Sequence, residues 1–170
     1  MTNVVMQWGR RQAAEYSHGE NRPLDGYLKL LGTYTTGVVG ATAAGRLLGR
    51  RVPERIGPLD LILLGVATHR LSRTIAKDPV TSPLRAPFTR YEGLAAAGEL
   101  SESVRGHGVR HSVGELLACP MCLAQWVATG FAAGLVLAPR QTRLAMATLS
   151  AVAGADFLQY LYALLQQRTE

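Results

Sequence analysis

Charged residues are scarce in this chain of 170 residues, at 18% of the sequence against about 25% in a typical soluble domain. Only two cysteines are present, which excludes a small secreted scaffold held together by disulfides. A nucleophilic triad, a phosphate-binding glycine loop and paired catalytic carboxylates are absent in recognisable form. Hydrophobic residues make up 48% of the chain, which excludes an intrinsically disordered protein and is unusual for a soluble enzyme.

Two long apolar runs near the end of the chain predict a helical hairpin across a membrane. Residues 119–138 contain no charged residue, and residues 144–165 are interrupted only by Asp156 and Gln159. At a rise of about 1.5 Å per residue, each run can cover the hydrocarbon core of roughly 30 Å. Pro139 between the runs ends the first helix, so we predict two antiparallel spans joined by a short turn.

A third span is predicted over residues 27–48. Its uncharged part, residues 30–45, is slightly short, but Lys29 and Arg46 can extend their charges to the two interfaces. Small residues recur at every fourth position and form a smooth ridge, along which two helices can approach closely in lipid. We expect this ridge to join the chain to itself or to other membrane proteins; it consists of Gly37, Ala41, Gly45 and Gly49.

The segment over residues 59–76 is ambiguous, because an apolar first half is followed by His69, Arg70 and Arg73. It is either a fourth span or a helix at the membrane interface. Residues 78–118 are predicted to be a loop-rich cytoplasmic insertion, with a small hairpin allowed around Gly106-His107-Gly108.

The predicted fold class is therefore all-α. We expect an integral membrane bundle of three or four transmembrane helices with a loop-rich cytoplasmic insertion. Residues 24–170 would form this single membrane domain. Residues 1–23 contain no apolar run typical of an export signal, and we expect them to be a polar arm that orders weakly or on a partner.

Basic residues indicate the orientation, since cytoplasmic loops carry an excess of Lys and Arg. Residues 70–110 contain seven of them, whereas the turn between the last two spans contains only Arg140 and Arg143. The insertion and the C-terminus are therefore predicted to be cytoplasmic in a multi-pass protein. Four more arginines would lie outside if every segment spans, which favours three spans or a re-entrant second helix; these are Arg46, Arg50, Arg51 and Arg55.

Three blocks of sequence carry a family resemblance: residues 69–73 (HRLSR), 78–88 (DPVTSPLRAPF) and 114–123 (GELLACPMCL), the last followed by Trp126. Together they resemble the domain-of-unknown-function family thirteen-sixty, small bacterial membrane proteins that include YjcA-like sporulation proteins. The resemblance covers roughly residues 59–170. It implies an integral protein of the bacterial inner membrane and implies no reaction.

Cys119 and Cys122 lie at the predicted start of a helix. A thiol at this position can have a lowered pKa, because unpaired N–H groups and the helix dipole stabilise the thiolate. The same pair could supply half of a tetrahedral zinc site, with His107 and His111 as the other two ligands. A third interpretation is that both cysteines are small apolar residues that pack the start of the helix.

Asp156 lies near the middle of the last span, where an ionised carboxylate is costly and is usually paired. His69 and Arg70 are the candidate partners. The pair would be a structural contact, or alternatively part of an ion or proton path.

Basic residues are also expected to form a rim that faces anionic lipid headgroups. Each residue would contribute roughly 1 kcal/mol of electrostatic attraction to the membrane surface. The rim consists of Arg70, Arg73, Lys77 and Arg85. Nucleic-acid binding is not expected, since these residues are spread along interfaces without interleaved aromatics.

These observations predict a non-enzymatic scaffold or assembly partner in the membrane, with no cofactor unless zinc is bound. The alternatives are a thiol oxidoreductase or metal-binding protein that uses Cys119 and Cys122, and an ion or proton conduit around Asp156.

Overall fold

The computed structural model of the protein describes residues 2–18, 20, 22–53 and 55–168. These residues are mostly helical, with one small antiparallel sheet. The helices are α1 (Thr2–Ser17), α2 (Leu24–Leu47), α3 (Pro58–Lys77), α4 (Ser82–Arg85), α5 (Val109–Ala118), α6 (Pro120–Leu137) and α7 (Pro139–Gln167). The strands are β1 (Thr89–Ala96) and β2 (Glu99–Val104), and a turn of 3₁₀ helix over Pro79–Thr81 precedes α4.

Four long helices form a bundle in which α3 packs against both α6 and α7, and α2 packs along α6. The contacts fix their directions. Along α3 and α7, Asp60 bonds to Arg143 and Arg70 lies beside Asp156, so these two helices run the same way. Tyr34 of α2 bonds to Thr129 of α6, and Gly45 lies beside Val136, so α2 and α6 are also parallel to each other. Both run in the direction opposite to α3 and α7, since Gly134 of α6 lies beside Thr142 of α7 across the turn at Ala138.

The bundle therefore has two distinct ends. At one end lie residues 48–53 and 55–57, in the connection from α2 to α3, and Ala138, which joins α6 to α7; we call it the turn end. At the other end lie the first residues of α2 and α6 and the last residues of α3 and α7, together with residues 78–118, which we call the cap. The two apolar helices α6 and α7 form the expected antiparallel hairpin, so tightly joined that a Cβ on Gly134 would lie 2.6 Å from Oγ1 of Thr142.

Apolar side chains lie mainly on the outside of this bundle. Among the described residues, the buried apolar side chains are Ala67, Ala76, Leu123 and Met146. Large apolar residues are instead exposed along the long helices, including Leu28, Leu31, Val39, Leu59, Leu61, Ile62, Leu144, Phe157, Leu158 and Leu161. A soluble monomer rarely exposes so much contiguous apolar surface. Within the described ranges, α6 and α7 are the helices long and apolar enough to cross a membrane.

The cap corrects the expectation of an all-α fold, because β1 and β2 form an antiparallel hairpin. Its turn is Ala97-Gly98 rather than the segment around His107, and Thr89 at its base pairs with Val104. Gly98 has a φ of +75°, a conformation that closes a two-residue turn and that glycine adopts without strain. Gly106 and Gly108 also have positive φ, but they lead the chain into α5.

The N-terminal arm contains a helix that the sequence analysis did not anticipate. Residues 2–17 form α1, and the expectation of a polar arm that orders weakly or on a partner stays a prediction. The segment contains good helix formers, including Met6, Gln12 and Ala13, and no proline. Its high polarity therefore did not exclude a helix.

A close approach between α2 and α5 anchors the cap to the bundle. Gly26 of α2 is buried, and a Cβ there would overlap Oγ of Ser112 and lie 3.1 Å from the carbonyl oxygen of Gly108. Gly40 lies on the same helix, but a Cβ at that position would meet nothing within 4 Å. The two glycines form a matched pair for testing the contact.

We expect Gly26→Ala to lower the free energy of unfolding by about 1–3 kcal/mol, because the added methyl group overpacks the contact with α5. Gly40→Ala should be neutral or stabilising by up to about 1 kcal/mol, since alanine favours a helix. Thermal unfolding of the detergent-solubilised variants measures both. Equal melting temperatures for the two variants would contradict the close packing of α2 on α5.

Candidate functional site

Arg85 is fully buried at the junction of the bundle and the cap. Its Nε donates to Oε2 of Glu102 at 2.6 Å, and its Nη2 donates to Oε1 of the same carboxylate at 3.2 Å. The Glu102 side chain is itself 6% exposed, so both charges are removed from water and neutralise each other. Contrary to the prediction from sequence, the structure does not place Arg85 among the residues that face headgroups.

The remaining donors of Arg85 close the end of α3. Nη1 donates to the carbonyl oxygen of Ile75 at 2.6 Å and to Oγ1 of Thr81 at 2.7 Å, and both Nη atoms lie 3.1 Å from the carbonyl oxygen of Asp78. The last carbonyls of a helix have no partner within the helix and carry partial negative charge. The block over residues 78–88 therefore supplies a charged C-terminal cap for α3.

The other residues of the predicted basic rim lie nearer the surface. Arg73 of α3 bonds through Nε to Oε1 of Glu99 on β2 at 3.0 Å, and its side chain is 42% exposed. Lys77 is half-buried in the last turn of α3. Arg73 thus joins α3 to the hairpin by an ion pair, beside the ion pair that joins Arg85 of α4 to the same strand. The side chains of Arg73 and Lys77 both remain accessible at the cap end.

Arg70 and Asp156 meet between α3 and α7. Nη1 of Arg70 lies 3.2 Å from Oδ2 of Asp156, and the two side chains are 27% and 38% exposed. Of the two partners considered for Asp156, the structure brings Arg70 to it, whereas His69 lies on an exposed part of α3. An arginine beside a carboxylate neutralises both charges within an otherwise apolar part of the bundle.

The two cysteines begin α6 as expected. Cys119 is the N-cap residue, and its Sγ accepts a hydrogen bond from the backbone N–H of Cys122 at 3.2 Å. Both thiols are free, and Cys122 is exposed. Because Cys119 satisfies an N–H group that lacks a partner within the helix, it has a structural role as a cap.

The structure does not assemble the predicted zinc ligands. Across residues 2–18, 20, 22–53 and 55–168, no three or more His, Cys, Asp or Glu side chains are grouped so that they could hold a metal ion. His111 instead has its Nε2 3.5 Å from Oε1 of Glu115, one turn later on α5. The set of Cys119, Cys122, His107 and His111 stays a prediction from sequence that this geometry does not support.

Glu115 is a central residue that the sequence reasoning missed. Its carboxylate accepts hydrogen bonds from the hydroxyl of Tyr27 at 2.5 Å and from Nη1 of Arg22 at 3.1 Å. The hydrogen bond with Tyr27, and then the charge of Glu115, raise the pKa of Arg22 above its ordinary value. These contacts dock α5 on the start of α2. The spacing of four between His111 and Glu115 was the available signal, since such residues share a helix face.

The ridge of small residues is only partly on a free surface. Gly45 is buried, and a Cβ there would lie 3.5 Å from Cγ1 of Val136 on α6. Gly49 lies beyond the end of α2 with a φ of +64°, so it is not part of a helical ridge. Gly37 remains exposed. The four-residue ridge predicted from sequence is therefore shortened, and its Gly45 end packs within the same chain.

The fold and these contacts define a mostly helical protein with two helices apolar enough to cross a membrane. The family described as Protein of unknown function (DUF1360) matches residues 63–162, and the chain belongs to this family. This match confirms the resemblance expected from the three sequence blocks.

The chain is similar to the Sporulation protein YjcA of Bacillus subtilis (strain 168), with 37% identity over 76 residues. The matched part is 43% of this chain and 64% of that relative, so the similarity spans less than two thirds of the relative's length. No solved structure matches the chain.

We expect Arg85→Ala to lower the free energy of unfolding by about 3–5 kcal/mol, because it leaves the charge of Glu102 buried without a partner. The double variant Arg85→Met/Glu102→Leu should lose less, since it removes both charges together. Arg90→Ala, at an exposed position on β1, is the control and should change stability by less than about 0.5 kcal/mol. Denaturant unfolding measures all three variants, and equal losses for Arg85→Ala and Arg90→Ala would refute the buried pair.

The contact between Arg70 and Asp156 predicts a coupled pair. The loss of stability in Arg70→Ala/Asp156→Ala should be smaller than the sum of the single losses by about 0.5–3 kcal/mol. Asp156→Asn should be tolerated better than Asp156→Leu if hydrogen bonding holds the helices together. Unfolding in detergent provides the four free energies of the cycle, and strictly additive losses would show that the two side chains do not interact.

Proposed function

We propose that the chain is a four-span protein of the bacterial inner membrane that acts as a non-enzymatic scaffold or assembly partner. The observation that carries this proposal is the distribution of its surface. An apolar exterior along the helices of the bundle is combined with a polar cap, which is fixed at one end by the buried ion pair of Arg85 with Glu102.

Side-chain pairing supports membrane placement of α3 despite its charges. Asp60 bonds to Nε and Nη2 of Arg143, each at 2.8 Å, and Arg70 lies against Asp156. Each carboxylate is thereby neutralised by an arginine of a neighbouring helix, which lowers the cost of placing the charge in lipid. The surface of α3 that faces away from α6 and α7 exposes Leu61 and Ile62.

Hydroxyl groups support the same placement for α2. Four exposed threonines donate hydrogen bonds to the carbonyl oxygen one turn earlier, at 2.8–2.9 Å. A threonine whose hydroxyl is satisfied within its own helix can face lipid without an unpaired polar group. These residues are Thr33, Thr35, Thr36 and Thr42.

The parallel and antiparallel contacts of the bundle favour four spans over three. If all four helices cross, the cap and the end of α7 lie on the same side, and the greater number of Lys and Arg at the cap end favours the cytoplasm. Arg73 and Lys77 would then lie at the level of anionic headgroups. The exposed Gly37 would be available to a second membrane helix.

A scaffold role is supported by how the cap uses its polar residues. Arg73, Arg85 and Glu115 each bond to a partner on another element, so they fix the shape of the cap. On its outer surface the cap exposes large apolar side chains, which are Val80, Leu84, Tyr91 and Leu94. Exposed apolar groups on a rigid frame are typical of a surface that binds another protein.

Reporter fusions test this topology. We expect a fluorescent protein fused after α7 or inserted at Ala97-Gly98 to fluoresce, because both positions would be cytoplasmic. An export-dependent phosphatase fused at residue 52 should be active, since residues 48–57 would face the periplasm. An inactive phosphatase at residue 52 together with an active one at the C-terminus would contradict the proposed orientation, and inactivity at residue 52 alone would reduce the spans to three.

A further inference from the structure

An open cleft at the turn end concentrates arginine side chains. It has a volume of about 420 Å³ and is lined by Arg50, Arg51, Arg55 and Arg143, which we call the arginine cleft. We propose that the arginine cleft binds the phosphate group of an anionic phospholipid. The lipid source of that phosphate rests on the membrane placement proposed above, whereas the anion chemistry does not.

The charges at this end are far from balanced. The sequence places six arginines here, at positions 46, 50, 51, 55, 140 and 143, against the carboxylates of Glu54 and Asp60. Glu54 lies outside the described residues, and Asp60 is engaged by Arg143. Within the described part of the chain, no carboxylate pairs with Arg50, Arg51 or Arg55. An anion would relieve their mutual repulsion.

Two helices begin at the arginine cleft, where Asp60 in the first turn of α3 and Pro139 at the start of α7 both line it. Each helix begins with a proline, which has no N–H, so the donors available to an anion are the N–H groups of the residues that follow it. Neither helix has a side-chain hydrogen bond at its N-cap, Gly57 for α3 and Ala138 for α7. The first N–H groups of a helix carry partial positive charge and bind phosphate well when they have no other partner.

The apolar lining favours a phospholipid over free phosphate. Ile56, Leu135 and Val136 line the same cleft as the arginines. A neighbouring pocket of about 480 Å³ shares Arg50 with the cleft and adds Leu137 and Arg140. A glycerophospholipid offers a phosphodiester to the arginines and a glycerol backbone with acyl chains to the apolar side chains, whereas inorganic phosphate uses only the first contact.

A phospholipid site also explains why arginines occur at the turn end, where the usual distribution of Lys and Arg in membrane proteins would not place them. Lys and Arg are normally depleted from the external ends of spans, and the turn end is external in the proposed topology. Phosphates bound there would neutralise the arginines and hold them at the level of the headgroups. Arginine is suited to this role, because its planar fork can donate two parallel hydrogen bonds to one phosphate.

The test measures lipid binding to the full chain purified in detergent, by native mass spectrometry. The test variant is Arg50→Gln/Arg51→Gln/Arg55→Gln. Its matched control, Arg11→Gln/Arg90→Gln/Arg168→Gln, removes the same charge from exposed positions away from the turn end. We expect phosphatidylglycerol to bind the unchanged protein at least tenfold more tightly than phosphatidylcholine. The test variant should lose this preference, and the control should keep it to within about twofold.

A further variant, Arg50→Lys/Arg51→Lys/Arg55→Lys, keeps the positive charge of the arginine cleft. It distinguishes a loss of lipid binding caused by the missing charge from a loss caused by misfolding. We expect it to bind phosphatidylglycerol more weakly than the unchanged protein and more tightly than the glutamine variant. Equal losses in the test variant and the control would overturn the proposal, as would an unaffected preference in the test variant. Inorganic phosphate that competes as well as the lipid at equal concentration would overturn the assignment to a phospholipid. None of these outcomes depends on topology, so the reporter fusions can fail independently.

Discussion

The buried contact between Arg85 and Glu102 is the constraint on which the cap depends. The guanidinium of Arg85 neutralises the carboxylate of Glu102 on β2. It also donates hydrogen bonds to the carbonyl oxygens of Ile75 and Asp78 at the end of α3. A buried charge pair of this kind requires that every donor is satisfied, because an unpaired charge away from water is very costly. The Arg85 side chain therefore joins the hairpin, α4 and the end of α3, and the ion pair of Arg73 with Glu99 adds a contact between α3 and the hairpin.

Ion pairs also join the long helices of the bundle, at positions further apart than those in the cap. Charged side chains of the long helices meet across helix contacts, as Asp60 does with Arg143 and Arg70 with Asp156. Apolar residues face outwards between these pairs, which reverses the arrangement of a soluble protein. In the membrane placement that we propose, ionic contacts would specify which helices pack together, because apolar contact alone does not discriminate between protein and lipid.

The helices α6 and α7 could be predicted from the sequence, because a long apolar run is recognised from local composition alone. It also indicated the pairing of Asp156, since a carboxylate within an apolar run requires a partner. The role of Arg85 could not be predicted from the sequence. The prolines on either side of it, Pro83 and Pro87, are typical of a loop, and its partner Glu102 lies 17 residues further along the chain. The hairpin was predicted around His107, and its true position was missed. Two irregularities in β1, near Gly93 and near Ala96, interrupt the alternation of apolar and polar residues that identifies a strand.

Hydrogen exchange of the protein in lipid nanodiscs tests the central claim most directly, namely that a cap locked by Arg85 is fixed to a bundle that lies in the membrane. We expect the backbone amides of β2 and of the last turn of α3 to exchange slowly, and those of α2, α3, α6 and α7 to be protected along their length. The amides of Arg51 and Val52, which lie outside the helices and donate no backbone hydrogen bond within the described part of the chain, should exchange rapidly. Exchange of β2 and of the end of α3 at the rate of Arg51 and Val52 would contradict this arrangement.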